Sequence, residues 1–201
     1  MKLHHSTTSP YVRKVMVILH ETGQLDDVEL IPTSGTPLDP ADGFAAVNPL
    51  TKVPALTRED GGAIYDSRII CRYLDARAGA GLYGAGDATW DIQTLEATGE
   101  GMIDAALLMA YEWRLRPEEL RFEAWSEGQW DKIARALDVI ESRWMAHMHA
   151  PLNAGQIAVA CALGYLDLRN ADRNWRENRP ELAAWFDAFS TRSSMTATLP
   201  G

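Results

Sequence analysis

"TTSPYVRKVMVIL", residues 7–19, joins a Thr-Thr-Ser run to a proline and then to an apolar stripe carrying two basic residues. As local structure it is a helix start. Ser9 caps, Pro10 takes the first helical position, and Val12, Val15, Met16 and Leu19 face a core. Met1–His5, just before it, reads as a short strand. A strand that feeds a helix through a tight polar turn leaves the helix N–H groups, with about half a positive charge, aimed at whatever lies above the turn. Ser9 is therefore either a plain cap or a cap beneath a ligand. A cysteine there would signal redox chemistry. A serine keeps a hydrogen-bond donor without the nucleophile, and such a donor favours a bound thiolate.

Outward from this helix, the pattern alternates. Gly23 ends the helix just past Thr22. "DVELI" (27–31) reads as a strand, residues 43–47 as a short helical piece, and 53–58 and 63–65 as two strands around the turn "EDGG". Residues 67–77 form a second long helix. This βαβ, α, ββα order suits a small sheet with helices on its faces. "AGAGLYGAGD" (78–87) then marks a change in composition and reads as a linker over 79–86. Beyond it every pattern is helical: 87–116, 126–147, an almost wholly apolar stretch over 153–168, and 180–190. The fold expected is an α/β domain over 1–78 followed by an all-α bundle over 87–201.

Two further stretches carry chemistry. In "NPLTKVPAL" (48–56), Pro54 cannot donate to a ladder, so the strand start is an edge or the Val53–Pro54 bond is cis. A cis bond turns the Val53 backbone N–H and C=O outward, where they can pair with an extended ligand, and Lys52 can meet a carboxylate. In "YDSRIICRYLD" (65–75), Ser67 reads as the helix N-cap with Asp66 before it. A helix start can hold a carboxylate and Asp66 an ammonium, the two needs of one amino-acid head group. The alternatives are an edge proline, a solvated lysine and a simple cap.

The 201 residues suffice for one large domain or two small ones. A net charge of −9 with no Lys/Arg cluster argues against nucleic acid and against a membrane-surface helix as partners. Cys71 and Cys161 sit inside apolar helical patterns and are expected to be buried free thiols. Neither they nor the scattered histidines, His4-His5 and His147/His149, have metal-ligand spacing, so no metal is expected. The first ten residues lack an apolar signal region, and no run approaches the ~18 apolar residues of a membrane span. A cytoplasmic protein is the expectation.

Taken in order, the three stretches resemble the cytosolic glutathione S-transferases. "SPYVRKV" (9–15) looks like the start of the first helix in serine-type and tau-type members, as in a bacterial branch of the family. "NPLTKVPAL" looks like the cis-proline segment, "YDS" like the acidic-Ser glutathione motif, and "NAGQIAVACALGYLDLR" (153–169) like the buried helix of the second domain. The usual Ser/Thr cap with Asp three residues on is here Asn153 and Gln156, which keeps the capping-box logic at an expected small stability effect. The resemblance implies a thioredoxin-like first domain with reduced glutathione as co-substrate and no bound cofactor. It implies Val53 backbone on the cysteinyl residue, Asp66 and Ser67 on the γ-glutamyl head, and Lys52 at the glycyl end. Pro54 would be the structural cis-proline. Ser9, with Ser6 as alternative, would stabilise the thiolate that attacks a small electrophile. Tyr11, Met102, Leu107, Tyr111 and Trp113 are candidates for the electrophile site, with packing as the other reading of Tyr11 and bundle core or dimer contact as that of the other four. "MAYEWRLRPEE" (109–119) admits an anionic or aromatic co-substrate. Relatives usually pair as two-fold homodimers and act in detoxification. A binding or scaffold protein working through a protein partner is the alternative. A disulfide reductase is disfavoured by Ser9 where a cysteine is needed.

Overall fold

The computed structural model describes residues 1–200. These fall into two compact units: Met1–Tyr83 together with the tail from Ser193, and Gly84–Arg192.

The first unit is built on a four-stranded sheet of order β2-β1-β3-β4. Strand β1 (Lys2–His5) pairs parallel with β2 (Glu29–Pro32) and antiparallel with β3 (Ala55–Thr57), and β3 pairs antiparallel with β4 (Ala63–Ile64). Asp27, expected in the second strand, closes a 3-10 turn instead. The parallel β1–β2 pair requires a crossover, and α1 (Pro10–Glu21) supplies it. Helix α2 (Ser67–Ala78) packs on α1. Gly79 ends α2 with φ 63°, where a left-handed residue lets the Gly79 and Ala80 N–H groups close onto the Ala76 and Asp75 carbonyls. Leu3, Val15, Ile18, Leu19, Leu56 and Leu74 form the core.

Helix α1 is buried on more sides than its stripe suggests. Met16 is only half-buried, while Arg13, Lys14 and Val17 are buried. The short helix α8 (Ser193–Thr196) packs on α1. Arg13 donates to the Met195 carbonyl at 3.2 Å, and Ser194 makes a short hydrogen bond to the Glu21 carboxylate. The chain from 193 onward thus belongs to the first unit and does not close the helical one. The expected linker is also partly anchored: Leu82 and Tyr83 are buried, and the Leu82 N–H donates to Asp75 Oδ1 at 2.8 Å.

The second unit contains α3 (Ala88–Leu115), α4 (Glu123–Val139), α5 (Met145–Met148), α6 (Ala154–Arg169) and α7 (Pro180–Phe189). The single helix expected over 126–147 is interrupted by a π-helical turn at Ile140–Trp144. That turn places Glu141 so that its carboxylate accepts from the Glu181 and Leu182 N–H groups at 3.1 and 2.7 Å, capping α7. Helix α6 is buried along most of its length. It lies against α3 with two glycines at the contact. A Cβ on Gly99 would come 2.8 Å from the Ala158 carbonyl carbon, and one on Gly155 would come 2.8 Å from the Ile92 carbonyl oxygen. Cys71 and Cys161 are buried free thiols.

Candidate functional site

The sheet register decides where the three stretches meet. Strand β1 pairs His4 with Ala55, and β3 pairs Leu56 with Ile64. Continued past the last bonded pairs, the first ladder sets Ser6 opposite Val53, and the second sets Pro54 opposite Asp66. The turn before α1, the segment before β3 and the start of α2 therefore share one end of the sheet.

At that end Ser9 caps α1. Its Oγ accepts from the Val12 N–H at 3.3 Å, which holds the oxygen over the first turn and leaves the hydroxyl proton to donate elsewhere. No acidic residue occupies that first turn to neutralise the helix end. Ser6 lies in the same turn: its carbonyl accepts from the Ser9 N–H at 3.1 Å, and its hydroxyl is 3.4 Å from Thr8 Oγ1. His4, on the strand leading in, bonds Thr33 Oγ1 at 3.0 Å and packs on Phe44. Burial, with a contribution from the Lys2 ammonium, holds its imidazole below the ordinary value.

The Val53–Pro54 peptide is cis. Val53 lies outside strand β3, and among the described residues its backbone N–H and C=O have no partner. The Lys52 carbonyl accepts from the Asn48 amide at 2.7 Å, while its ammonium is exposed and forms no ion pair among the described residues.

The start of α2 departs from expectation. Asp66, not Ser67, is the N-cap: its Oδ1 accepts from the Arg68 N–H at 3.0 Å and its Oδ2 pairs with Arg68 Nη2 at 3.2 Å. Ser67 is the first helical residue and is buried. The Asp66 carboxylate is 54% exposed, so its remaining lone pairs face solvent. An open depression of about 470 Å³ adjoins it, lined by Leu50, Tyr65, Asp66, Arg68, Ile69 and Arg72. It reaches neither Ser9 nor Val53, so it is a neighbour of the sheet end and not a channel along it.

The four α3 residues expected around an electrophile do not share one helix face. Tyr11 belongs to the first unit and is half-buried. On α3, Met102 and Tyr111 are nine residues apart, two and a half turns, and so point to opposite sides. Met102 is 2% exposed and fills the core; Trp113 is 58% exposed under Arg121. Leu107 and Tyr111, four apart, share a face. His147 lies 3.3 Å from Asp91 Oδ2. Among the described residues, no three His, Cys, Asp or Glu side chains cluster as a metal ion would need, and no helix is long and apolar enough to cross a membrane.

Sequence reasoning named Tyr111 on α3 but passed over Tyr165 and Arg169 on α6. Burial pushes the Tyr165 phenol above its ordinary value, against the opposing influence of the Arg169 guanidinium; Tyr111 and Arg114 lie close enough to act on it too. The Tyr-x-x-x-Arg spacing on one helix face was the available signal.

Comparison with known proteins settles the family. The family description "Glutathione S-transferase, N-terminal domain" matches residues 8–77, and "Glutathione S-transferase, C-terminal domain" matches residues 123–188. The chain belongs to the glutathione S-transferase family. It is 33% identical to the GST-like protein YibF of Escherichia coli strain K12, across 100% of this chain and 98% of that one. It is similar to a glutathione transferase family member from Pseudomonas fluorescens Pf-5 solved with bound glutathione, at TM-score 0.97 and 46% identity over 100% of this chain and 98% of that one. A second structure of a Pf-5 family member holds S-(propanoic acid)-glutathione, at TM-score 0.92 and 45% identity, with both chains fully covered. A glutathione S-transferase from Methylobacillus flagellatus KT with glutathione bound matches at TM-score 0.88 and 34% identity, over 100% of this chain and 99% of that one. The thioredoxin-like domain and helical bundle of this chain agree with that membership.

Proposed function

We propose that this family member binds reduced glutathione along the end of its sheet and activates the thiol for attack on a small electrophile. The observation that carries the reading is the convergence, through register, of the Ser9 hydroxyl, the unpaired Val53 backbone and the exposed Asp66 carboxylate. Glutathione carries a group that suits each. Its cysteinyl backbone is an extended strand for Val53, its α-ammonium a partner for Asp66, and its γ-glutamyl carboxylate an anion for the start of α2, where Ser67 lies. Its glycyl carboxylate is a partner for Lys52. Bound glutathione in the Pf-5 and Methylobacillus relatives supports the ligand, and the thioether held by a Pf-5 relative supports the chemistry.

Ser9 is favoured over Ser6 because its oxygen is held by a helix N–H and its proton is unspent. That proton, donated to sulfur, stabilises the thiolate; one pKa unit corresponds to about 1.4 kcal/mol, within the range of one hydrogen bond to a charge. The thiolate then forms a C–S bond at the electrophilic carbon. The displaced group leaves with its electron pair, or the adduct takes a proton from water. A homodimer in a cytoplasmic setting goes with this reading. Exposed Trp90, Leu108, Leu120 and Phe122 supply apolar surface for pairing.

The test is calorimetric titration with reduced glutathione. Asp66→Asn keeps the cap of α2 and removes the charge, and it should weaken binding by about 10- to 100-fold, the loss of a charged partner. Unchanged affinity would reduce Asp66 to a cap. For Ser9→Ala, affinity should change little while the bound thiol pKa, read from thiolate absorbance, rises toward about 8.5. An unmoved pKa would remove Ser9 from the mechanism.

A further inference from the structure

Asn48 is 1% exposed, and its bonds hold the segment ahead of β3 in one shape. Its backbone N–H donates to the Phe44 carbonyl at 2.9 Å, and the Phe44 ring packs on His4 of the central strand, so the residue is tied to the sheet. Its carbonyl accepts from the Thr51 N–H at 2.8 Å, and its Oδ1 accepts from the Leu50 N–H at 3.0 Å. Its Nδ2 donates to the Lys52 carbonyl at 2.7 Å. Leu50, Thr51 and Lys52 are thus all fastened to one buried residue, and Pro49 before them has no N–H to satisfy.

Inside this clasp Thr51 has φ 50°. A β-branched residue rarely takes that left-handed conformation, and it persists where the surroundings over-determine it. The Asn48 bonds to Leu50 and Lys52, on either side of Thr51, do so, and the Thr51 hydroxyl adds a bond to the Leu50 carbonyl at 2.9 Å. The turn through Thr51 brings the Lys52 carbonyl back to Asn48. The next residue feels this directly. The Lys52–Val53 peptide is trans and planar, so its carbonyl and its N–H point in opposite directions. Fixing the Lys52 carbonyl inward on a buried amide turns the Val53 N–H outward, and among the described residues that N–H has no partner.

We propose that Asn48 is a positioning residue: through its hold on the Lys52 carbonyl it aims the Val53 N–H at the cysteinyl carbonyl of glutathione. This role rests on the glutathione reading above. Asn48 does not itself touch the ligand. It sets the edge before the ligand arrives, so binding does not have to order the segment.

The experiment follows the backbone amides of the 15N-labelled chain with and without reduced glutathione. In the free wild type, relaxation over residues 50–53 should give order parameters near those of rigid backbone, about 0.85. Values below about 0.6 that rise on binding overturn the preset edge. Saturating glutathione should slow hydrogen exchange at the Val53 amide by at least about fivefold, the factor one hydrogen bond supplies. Asn48→Ser keeps an oxygen for the Leu50 N–H, adds no charge, and is too short to reach the Lys52 carbonyl. It should weaken glutathione by about three- to tenfold in calorimetry and remove most of the Val53 protection at saturation. The Leu3 amide, in the central strand, should exchange as slowly as in the wild type. Exchange at Leu3 that speeds as much as at Val53 reports general loosening and overturns the positioning role. Unchanged affinity, or equal Val53 protection in the two proteins, overturns it too. Glutathione bound by the wild type with the Val53 amide unprotected overturns the aiming of Val53 and leaves the ligand standing. No glutathione binding in the wild type sinks the glutathione reading, and the role of Asn48 with it.

Discussion

Gln156→Ala should destabilise the protein more than removal of the residue that caps the same helix. Gln156 is 2% exposed at the third position of α6. Its Oε1 accepts from the buried Asn153 N–H at 3.1 Å, closing a capping box with Asn153 Oδ1 on the Gln156 N–H. Its amide also donates to the carbonyls of His147, Met148 and Ala150 at 2.9, 3.2 and 2.9 Å. Not all of these partners are orphaned by the substitution. Met148 O keeps the Trp185 indole N–H at 2.7 Å, His147 O keeps the Ala150 N–H, and Ala150 is exposed enough for water to replace the amide. The principal cost is the buried Asn153 N–H, about 1–3 kcal/mol, with about 0.5–1 for the exchanged carbonyl bond and about 0.8 for a lost buried methylene. A total near 3.5 kcal/mol lowers the Tm by about 7–14 °C for a chain of this size. Asn153→Ala, losing an ordinary cap, should cost about 1 kcal/mol and a correspondingly smaller shift. The assay is helical circular dichroism on heating. A fall of less than about 3 °C for Gln156→Ala, or a larger fall for Asn153→Ala, would refute the account.

Two further outcomes follow from the helical unit. Gly99→Ala should cost about 1–3 kcal/mol, because its methyl meets α6 backbone that cannot rotate away; urea denaturation checks this, and a neutral result would mean the two helices part freely. The Phe122 N–H and then Arg116 hold the Glu112 carboxyl below its ordinary 4.5, so its stabilising effect is present above that pH and is lost as pH falls through the lowered folded value. Glu112→Gln should therefore flatten the acid limb of the urea midpoint against pH, and parallel curves for the two proteins would contradict the assignment.

How much of this was legible depends on what each residue type announces. Ser9-Pro10 announced α1, because proline has one favourable place at a helix start. Pro54 announced the start of β3, and register then did the rest. Asp66 and Ser67 were harder to separate: both cap well, they are adjacent, and only the backbone decides which one stands outside the helix. The π-helical turn was invisible because Ile133, Leu137, Ile140 and Trp144 keep helical spacing straight through it. The buried second face of α1 was invisible for the opposite reason. Arg13 and Lys14 lie off the apolar stripe, and nothing in residues 7–19 tells of a segment some 180 residues away that covers Arg13. The family was readable from its motifs as an ordered set, although each one alone is a common pattern.

The return of the tail to α1 has a consequence for how the molecule is made. A ribosome that has translated every strand and every residue proposed to touch glutathione has not yet made Met195, whose carbonyl receives the Arg13 guanidinium. The helical unit, by contrast, is contiguous in the chain and is complete at Arg192. It can finish folding while the sheet-bearing unit still waits for its last few residues, so the part synthesised first is the part completed last.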